Sequence, residues 1–159
     1  MTQLNSELTK FLTLVSKYDL TFGSVESFTG GLFASTITAR AGVSKYYLGS
    51  IVSYSEIIKE KVVGVSSLTI EKYTVVSKEV AEEMAKEGAR TLGVDLCVSF
   101  TGNAGPGICP GDKSVGLFYI SIFYQNKIHT FEFKSNGKRN YIRKKAVNYA
   151  LIKINEILS

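Results

Sequence analysis

The segment at residues 24–31, SVESFTGG, constrains the fold of this chain more than any other part of the sequence. The apolar residues at 20–25 before it predict a strand, and residues 32–37 after it predict a helix that begins near Gly30 and extends to about residue 39. Gly30 and Gly31 lie where the chain must turn sharply from strand into helix, and glycine adopts such conformations without steric cost. A strand–glycine–helix order is typical of α/β domains.

The same turn carries groups that are suited to chemistry. Ser27 and Thr29 place two hydroxyls at the end of the predicted strand. The start of a helix offers unpaired N–H groups, which bind anions. A serine beside such donors is suited to anion binding or acyl transfer. The alternative is an ordinary α/β turn without a catalytic role.

Strands and helices alternate along the rest of the chain. Hydrophobic periodicity and helix-capping residues predict strands at 49–54, 94–100, 115–124 and 128–134, and helices at 4–15, 55–64, 67–73, 77–92 and from about 138 to the C-terminus. Residues 125–127 predict a hairpin between the last two strands. We therefore expect one domain over residues 1–159, a three-layer α/β/α fold with a mixed, mostly parallel sheet and one antiparallel hairpin.

Composition narrows the class of protein. A net charge of +5, 45% hydrophobic residues and 21% charged residues are ordinary for a globular domain. No apolar run reaches the length of a membrane span, and the N-terminus does not resemble a signal peptide. The two cysteines, Cys97 and Cys109, provide neither a disulfide framework nor a four-ligand zinc site. We expect a cytoplasmic protein without a metal, a cofactor or a membrane partner.

A glycine- and proline-rich loop follows the third predicted strand. Residues 101–113 contain four glycines and both prolines of the chain, so they cannot pack a core and are expected to shape a site. Cys109 lies in this loop and could be a nucleophile, but no base for it can be identified, and an unactivated cysteine is the simpler interpretation.

Lys59 and Tyr54 are the candidate partners of Ser27. A lysine serves as a general base only where burial or a neighbouring cation lowers its pKa, and most helical lysines are solvated. Tyr54 ends a predicted strand and could reach Ser27 if the two strands are parallel neighbours; otherwise it is a packing residue. The single histidine, His129, alternates with Phe131 on the hairpin, and we interpret it as structural.

The last helix begins with an unusual run of cations, because the helix dipole disfavours positive charge at this end. The run comprises Lys138, Arg139, Arg143, Lys144 and Lys145. A bound anion such as a phosphate would compensate these charges, with arginine supplying a fork of donors. A solvated helix face is the alternative. Nucleic-acid binding is less favoured, because no set of stacking aromatic residues accompanies the cluster.

Several motifs, in order along nearly the whole chain, resemble one family, the CinA C-terminal domain (competence/damage-inducible protein). Residues 26–31 resemble its ESCTGG motif, and residues 52–55 with Lys59 and residues 63–65 are similar to its VTYSNxAK…LGV stretch. Residues 76–81 are similar to its AVSxEVAxxMA helix. Further matches are residues 101–107 to TGIAGPGGG, residues 115–116 to PVGT, and residues 137–139 with 142–143 to GDRxxVR.

The resemblance implies an activity. Enzymatic members of this family are nicotinamide mononucleotide deamidases, which form nicotinate mononucleotide and ammonia in pyridine nucleotide salvage. By analogy Ser27 is the nucleophile, Lys59 its base, and Tyr54 assists. Thr101 and the backbone of residues 102–107 hold the carboxamide or stabilise the oxyanion, and Arg139 or Arg143 takes the phosphate. The substrate-binding set implied by the resemblance is Thr29, Gly30, Gly31, Gly102, Asn103, Ala104, Gly105, Arg139 and Arg143.

The sequence departs from the family pattern around the expected site. Phe28 replaces the usual cysteine and adds bulk at the turn. Glu56 stands where asparagine is common, and its carboxylate is expected to raise the pKa of Lys59. Ile108 and Cys109 interrupt the glycine run, and Lys138 replaces an aspartate. A catalytically weak or inactive nucleotide-binding member of the family is therefore the alternative function.

The resemblance also bears on architecture. The chain resembles the stand-alone form of the family, without the separate N-terminal domain that many members carry. It further implies a homo-oligomer, with a dimer as the expected state.

Overall fold

A five-stranded mixed sheet forms the centre of the structure, a computed structural model that describes residues 2–108 and 114–159. The strand order is β2–β1–β3–β4–β5. Strand β1 is parallel to both β2 and β3, whereas β4 is antiparallel to β3 and β5, so four of the five strands share a direction. The bounds are β1 Phe22–Glu26, β2 Tyr47–Val52, β3 Leu96–Gly102, β4 Leu117–Tyr124 and β5 Lys127–Lys134. The mixed sheet and the hairpin predicted from the sequence are confirmed.

Helices cover both faces of this sheet. They are α1 Gln3–Tyr18, α2 Leu32–Thr38, α3 Glu56–Ile58, α4 Ser67–Tyr73, α5 Lys78–Leu92 and α6 Arg139–Leu158. A 3₁₀ turn at Val43–Lys45 precedes β2, and a π-helical segment at Lys59–Val63 continues α3.

Each helical layer has its own apolar core. Helices α1, α2 and α6 bury Phe11, Phe33 and Ile142 against one face of the sheet. Helices α4 and α5 bury residues such as Met84 against the other face. The predicted three-layer α/β/α arrangement is therefore confirmed. The helix α5 approaches the sheet so closely that a Cβ at Gly88 would lie 2.3 Å from a methyl group of Val25, which explains a glycine within a helix.

Three of the element boundaries that differ from the sequence-based prediction lie near the candidate site. Strand β2 ends at Val52, so Tyr54 lies beyond the strand and not at its end. Helix α2 begins at Leu32, two residues later than predicted, because Gly30 and Gly31 have positive φ angles of 58° and 96°. The expected helix at 55–64 changes into a π-helix, in which the Gly64 amide donates to the carbonyl of Lys59 at 3.0 Å.

The topology brings the candidate residues to one edge of the sheet. The carboxyl ends of β1, β2 and β3 meet there, since these strands are parallel. The helix that follows β1 covers one face, and the helices that follow β2 cover the other. Ligands of open α/β sheets bind in the crevice outside such strand ends.

Candidate functional site

A buried contact between Ser27 and Lys59 lies at this edge of the sheet. The Lys59 amine donates to the Ser27 hydroxyl oxygen at 2.9 Å, so the pairing expected from the sequence is present. The amine also donates to the carbonyls of Ser53 at 2.6 Å and Tyr54 at 3.4 Å. Lys59 is only 1% exposed, and it forms no ion pair with a carboxylate in the part of the chain that the structure describes.

The surroundings of Lys59 favour its neutral form. Burial lowers the pKa of the amine from 10.5 to about 8, and the exposed Glu56 carboxylate raises it by a smaller amount. The expected effect of Glu56 is therefore present in direction, but burial outweighs it. A neutral amine has two N–H donors and one lone pair. The two carbonyls can accept the N–H groups, and the lone pair can accept the Ser27 proton.

A cleft of about 470 Å³ opens beside the Ser27–Lys59 pair. Its volume is within the range of small-molecule sites. Among the described residues of its wall, Lys59 and Arg139 carry charge and none is a carboxylate. The wall consists of Ser27, Phe28, Tyr54, Lys59, Val75, Val76, Thr101, Gly102, Asn103, Ala104, Gly105, Pro106, Gly107, Ile108 and Arg139.

The loop after β3 forms one wall of this cleft, as its composition predicted. The Thr101 hydroxyl donates to the Val75 carbonyl at 2.6 Å, so its proton is already engaged. The Asn103 amide donates to the Leu117 carbonyl, and the Asn103 side-chain oxygen accepts from the Gly105 amide at 3.0 Å. These bonds hold Gly102, Asn103, Ala104 and Gly105 in the wall.

Glu26 occupies the helix start that we expected to be open to an anion. Its carboxylate is fully buried and accepts from the amides of Gly31, Phe33 and Ala34 at 3.0–3.1 Å. The hydroxyls of Ser24 and Ser50 donate to the same carboxylate. The expectation of free amides at this turn was therefore wrong, because an internal carboxylate already binds them.

Besides Arg143, three residues of the predicted binding set do not line the cleft. Thr29 is fully buried, Gly30 is exposed on the outer side of the turn, and Gly31 donates its amide to Glu26. Their place in the structure is to shape the turn that presents Ser27. The sequence did contain a signal for this arrangement, which we missed. Glu26 is a charged residue in a buried strand, so it needs hydrogen-bond donors. The helix that follows begins at an N-cap, Gly31, which has no side chain to accept from the first amides.

The two arginines of the binding set have different surroundings. Arg139 lines the cleft and donates to the Gly105 carbonyl at 2.7 Å and the Tyr54 hydroxyl at 3.0 Å. Arg143 donates to the carbonyls of Phe28 and Thr29. These contacts explain why two of the cations lie at the start of the last helix, whereas Lys138 and Lys144 are solvent-exposed.

The remaining candidates lie elsewhere. His129 is half-buried on the edge strand β5 and does not line the cleft. Cys97 is buried, and burial raises the pKa of its thiol to about 12, whereas Cys109 lies outside the described residues. Within residues 2–108 and 114–159, no group of three or more His, Cys, Asp or Glu is arranged to hold a metal ion. No helix in those ranges is long and apolar enough to cross a membrane.

Comparison with known sequences identifies relatives over most of the chain. The family model for the CinA C-terminal domain matches residues 4–158. A "CinA-like protein" of Fusobacterium nucleatum is 44% identical over 140 residues, which cover 88% of this chain and 34% of that protein. A protein of the same name from Kosmotoga olearia is 41% identical over 88% of this chain and 34% of its own length. The chain spans about a third of the length of these curated relatives.

Solved structures share the fold. The competence/damage inducible protein CihA of Agrobacterium tumefaciens has a TM-score of 0.94 at 27% identity, covering 100% of this chain and 98% of its own. A competence-damaged protein (CinA) superfamily protein of Escherichia coli has a TM-score of 0.91 at 26% identity, covering 98% of this chain and 90% of its own.

We expect Glu26→Gln to lower the free energy of unfolding by about 1–3 kcal/mol, because an amide NH₂ would face buried N–H donors that need an acceptor. Denaturant unfolding measures the loss. The exposed carboxylate Glu71, changed to Gln, is the matched control and should alter stability by less than about 0.5 kcal/mol. Equal stability of Glu26→Gln and the parent chain would contradict the assigned role.

Proposed function

We propose that this chain, which belongs to the CinA C-terminal domain family, is an amidohydrolase that converts nicotinamide mononucleotide into nicotinate mononucleotide and ammonia. The observation that carries the proposal is the 2.9 Å contact between the Ser27 hydroxyl and the buried Lys59 amine at the edge of a cleft. A hydroxyl beside an amine of lowered pKa is the arrangement of an activated nucleophile. The reaction belongs to pyridine nucleotide salvage.

In the first step Ser27 attacks the carboxamide carbon of the substrate. Its oxygen forms the new C–O bond while its proton passes to the neutral amine of Lys59. The tetrahedral intermediate then collapses, the C–N bond breaks, and the Lys59 ammonium returns the proton to the leaving nitrogen. Ammonia departs, and the nicotinoyl group remains as an ester on Ser27.

In the second step water hydrolyses this ester. Lys59 takes a proton from the water as the water oxygen attacks the ester carbon. The bond to the Ser27 oxygen breaks, and the serine recovers its proton from Lys59. Nicotinate mononucleotide leaves, and both residues return to their starting states.

Main-chain donors would stabilise the negative oxygen of the intermediate. The amide of Asn103 already donates to the Leu117 carbonyl on β4, and the amide of Gly105 donates to the Asn103 side chain. We assign the oxyanion to the amide of Phe28, the residue next to the nucleophile. Tyr54 assists indirectly, since its carbonyl holds the Lys59 amine and its hydroxyl holds Arg139.

The charge of the cleft supports a substrate that carries a phosphate. Among the described residues of its wall, Arg139 is a permanent cation and none is a carboxylate. The hydrogen bonds of Arg139 to Gly105 and Tyr54 use two of its five N–H donors, so the guanidinium retains donors for a phosphate. We assign the phosphate to Arg139. We further propose that the protein acts in the cytoplasm as a homo-oligomer, with a dimer as the expected state.

Ammonia release from nicotinamide mononucleotide tests the proposal. We expect the purified protein to release ammonia and Ser27→Ala to lose activity by about 10⁴-fold or more, because it lacks the attacking oxygen. Ser67→Ala, at an exposed serine on α4, is the control and should retain activity. Tight binding without turnover by the folded parent chain would contradict the hydrolase and support the nucleotide-binding alternative.

The pH dependence of kcat/KM should report the protonation state of the Lys59 amine. Its neutral form is the base, and that form becomes more abundant as the pH rises towards the pKa of about 8. We therefore expect kcat/KM to rise about tenfold per pH unit below pH 8 and to level off above it. Glu56→Gln should move the inflection to lower pH, because the carboxylate raises the pKa of Lys59. A flat profile between pH 6 and 9 would count against Lys59 as the base.

Arg139→Gln should reduce activity on the nucleotide more than activity on its dephosphorylated riboside. We expect kcat/KM for nicotinamide mononucleotide to fall about 10–100-fold more than for the riboside, since charge-assisted hydrogen bonds contribute about 1.5–3 kcal/mol. Steady-state kinetics with both compounds measures the ratio. Lys144→Gln, an exposed cation on the same helix, should leave the ratio unchanged. Equal losses on both compounds would exclude Arg139 as the phosphate ligand.

A further inference from the structure

We propose that Arg143 is a positioning residue for the nucleophile. Its guanidinium fixes the backbone of the turn after β1 and thereby keeps the Ser27 oxygen against the Lys59 amine. The proposal rests on the function proposed above, in which Ser27 attacks the substrate. It gives Arg143 a different role from Arg139, although the two residues lie one helical turn apart on α6.

The Arg143 guanidinium contacts the turn at two successive peptide groups. Its Nε donates to the Phe28 carbonyl at 3.0 Å, and its Nη2 donates to the Thr29 carbonyl at 2.7 Å. A third contact, from Nη1 to the side-chain oxygen of Asn140 at 3.0 Å, orients the guanidinium on its own helix. The rigid planar fork of arginine suits two fixed acceptors, whereas the point charge of lysine does not.

The turn needs such support because its backbone leaves the sheet at the nucleophile. The Ser27 amide donates to the Phe100 carbonyl at 3.1 Å, which is the last contact of this strand with β3. Gly30 and Gly31 follow with positive φ angles, and glycine has the greatest backbone freedom of any residue. Glu26 binds amides on the inner side of the turn, and Arg143 binds carbonyls on its outer side.

Arg143 also lies outside the wall of the cleft in which we place the substrate. Arg139 belongs to the wall of the cleft, and Arg143 does not. Neither forms an ion pair with a carboxylate within residues 2–108 and 114–159. The acceptors of Arg143 are main-chain carbonyls on the turn itself. A displaced nucleophile is costly, since an error of about 1 Å can reduce a rate about 100-fold.

The test compares Arg143→Lys with the parent chain in two measurements. The first is the rate at which a fluorophosphonate, a reagent for activated serines, labels Ser27, followed by intact mass at pH 8. The second is kcat and KM for nicotinamide mononucleotide and its riboside. We expect labelling and kcat to fall about 10–100-fold on both substrates, with KM changed less than about threefold. Arg90→Lys, a surface arginine on α5, is the control and should match the parent chain.

Chemical rescue distinguishes positioning from a general structural role. In Arg143→Ala, millimolar methylguanidinium should restore part of the labelling rate, because it can occupy the space between the two carbonyls, and methylammonium should not. If Arg143→Lys does not fold, Asn140→Ala is the second variant. It should lower the labelling rate a few-fold, because it removes the contact that orients the guanidinium.

Three outcomes would overturn the proposal: an unchanged labelling rate in Arg143→Lys, a loss confined to KM for the phosphorylated substrate, or the absence of Ser27 labelling in the parent chain. Labelling of the parent chain without ammonia release would instead contradict the proposed function. In that case the labelling rate of Arg143→Lys still decides the role of Arg143. The two failures are therefore distinguishable.

Discussion

A lysine amine that is buried without a carboxylate partner among the described residues is the constraint on which the rest of the site depends. Removing an ammonium from water is costly, so a buried amine must either lose its proton readily or find acceptors. Lys59 does both, because burial lowers its pKa and the carbonyls of Ser53 and Tyr54 accept its N–H groups. Both carbonyls belong to the chain just beyond β2, where the backbone has left the ladder. The early end of that strand therefore provides the acceptors that Lys59 requires.

Much of the fold and of the central pair could be predicted from the sequence. Alternating strands and helices, the glycine turn at 30–31 and the hairpin at 125–127 are local signals of periodicity and turn chemistry. The pairing of Ser27 with Lys59 was expected from the family resemblance, and the structure shows that one motif ends β1 and the other follows β2. Parallel neighbouring strands end at the same edge of a sheet, so the two motifs had to meet there.

The interactions that hold the site in place could not be predicted in this way. The contacts of Arg143 with Phe28 and Thr29 join residues more than 110 positions apart, and no local pattern encodes them. The binding of Gly31 by Glu26 was missed because a glycine-rich helix start predicts free amides unless an acceptor is known to lie beneath it. The π-helix at Lys59–Val63 could not be predicted, because the sequence there is compatible with an ordinary α-helix.

The order of the site residues along the chain, with Arg139 and Arg143 far behind Ser27 and Lys59, has a consequence for synthesis of the protein. Residues 27 and 59 leave the ribosome well before residues 139–143, which complete the wall of the cleft and the outer side of the turn. Helix α6 also contacts the first helix through Asn155, which donates to Glu7. A nascent or truncated chain that lacks α6 therefore carries Ser27 and Lys59 without the hydrogen bonds of Arg139 and Arg143 to the loop and the turn. The contacts of Arg139 and Arg143 with the site form only after α6 has been synthesised.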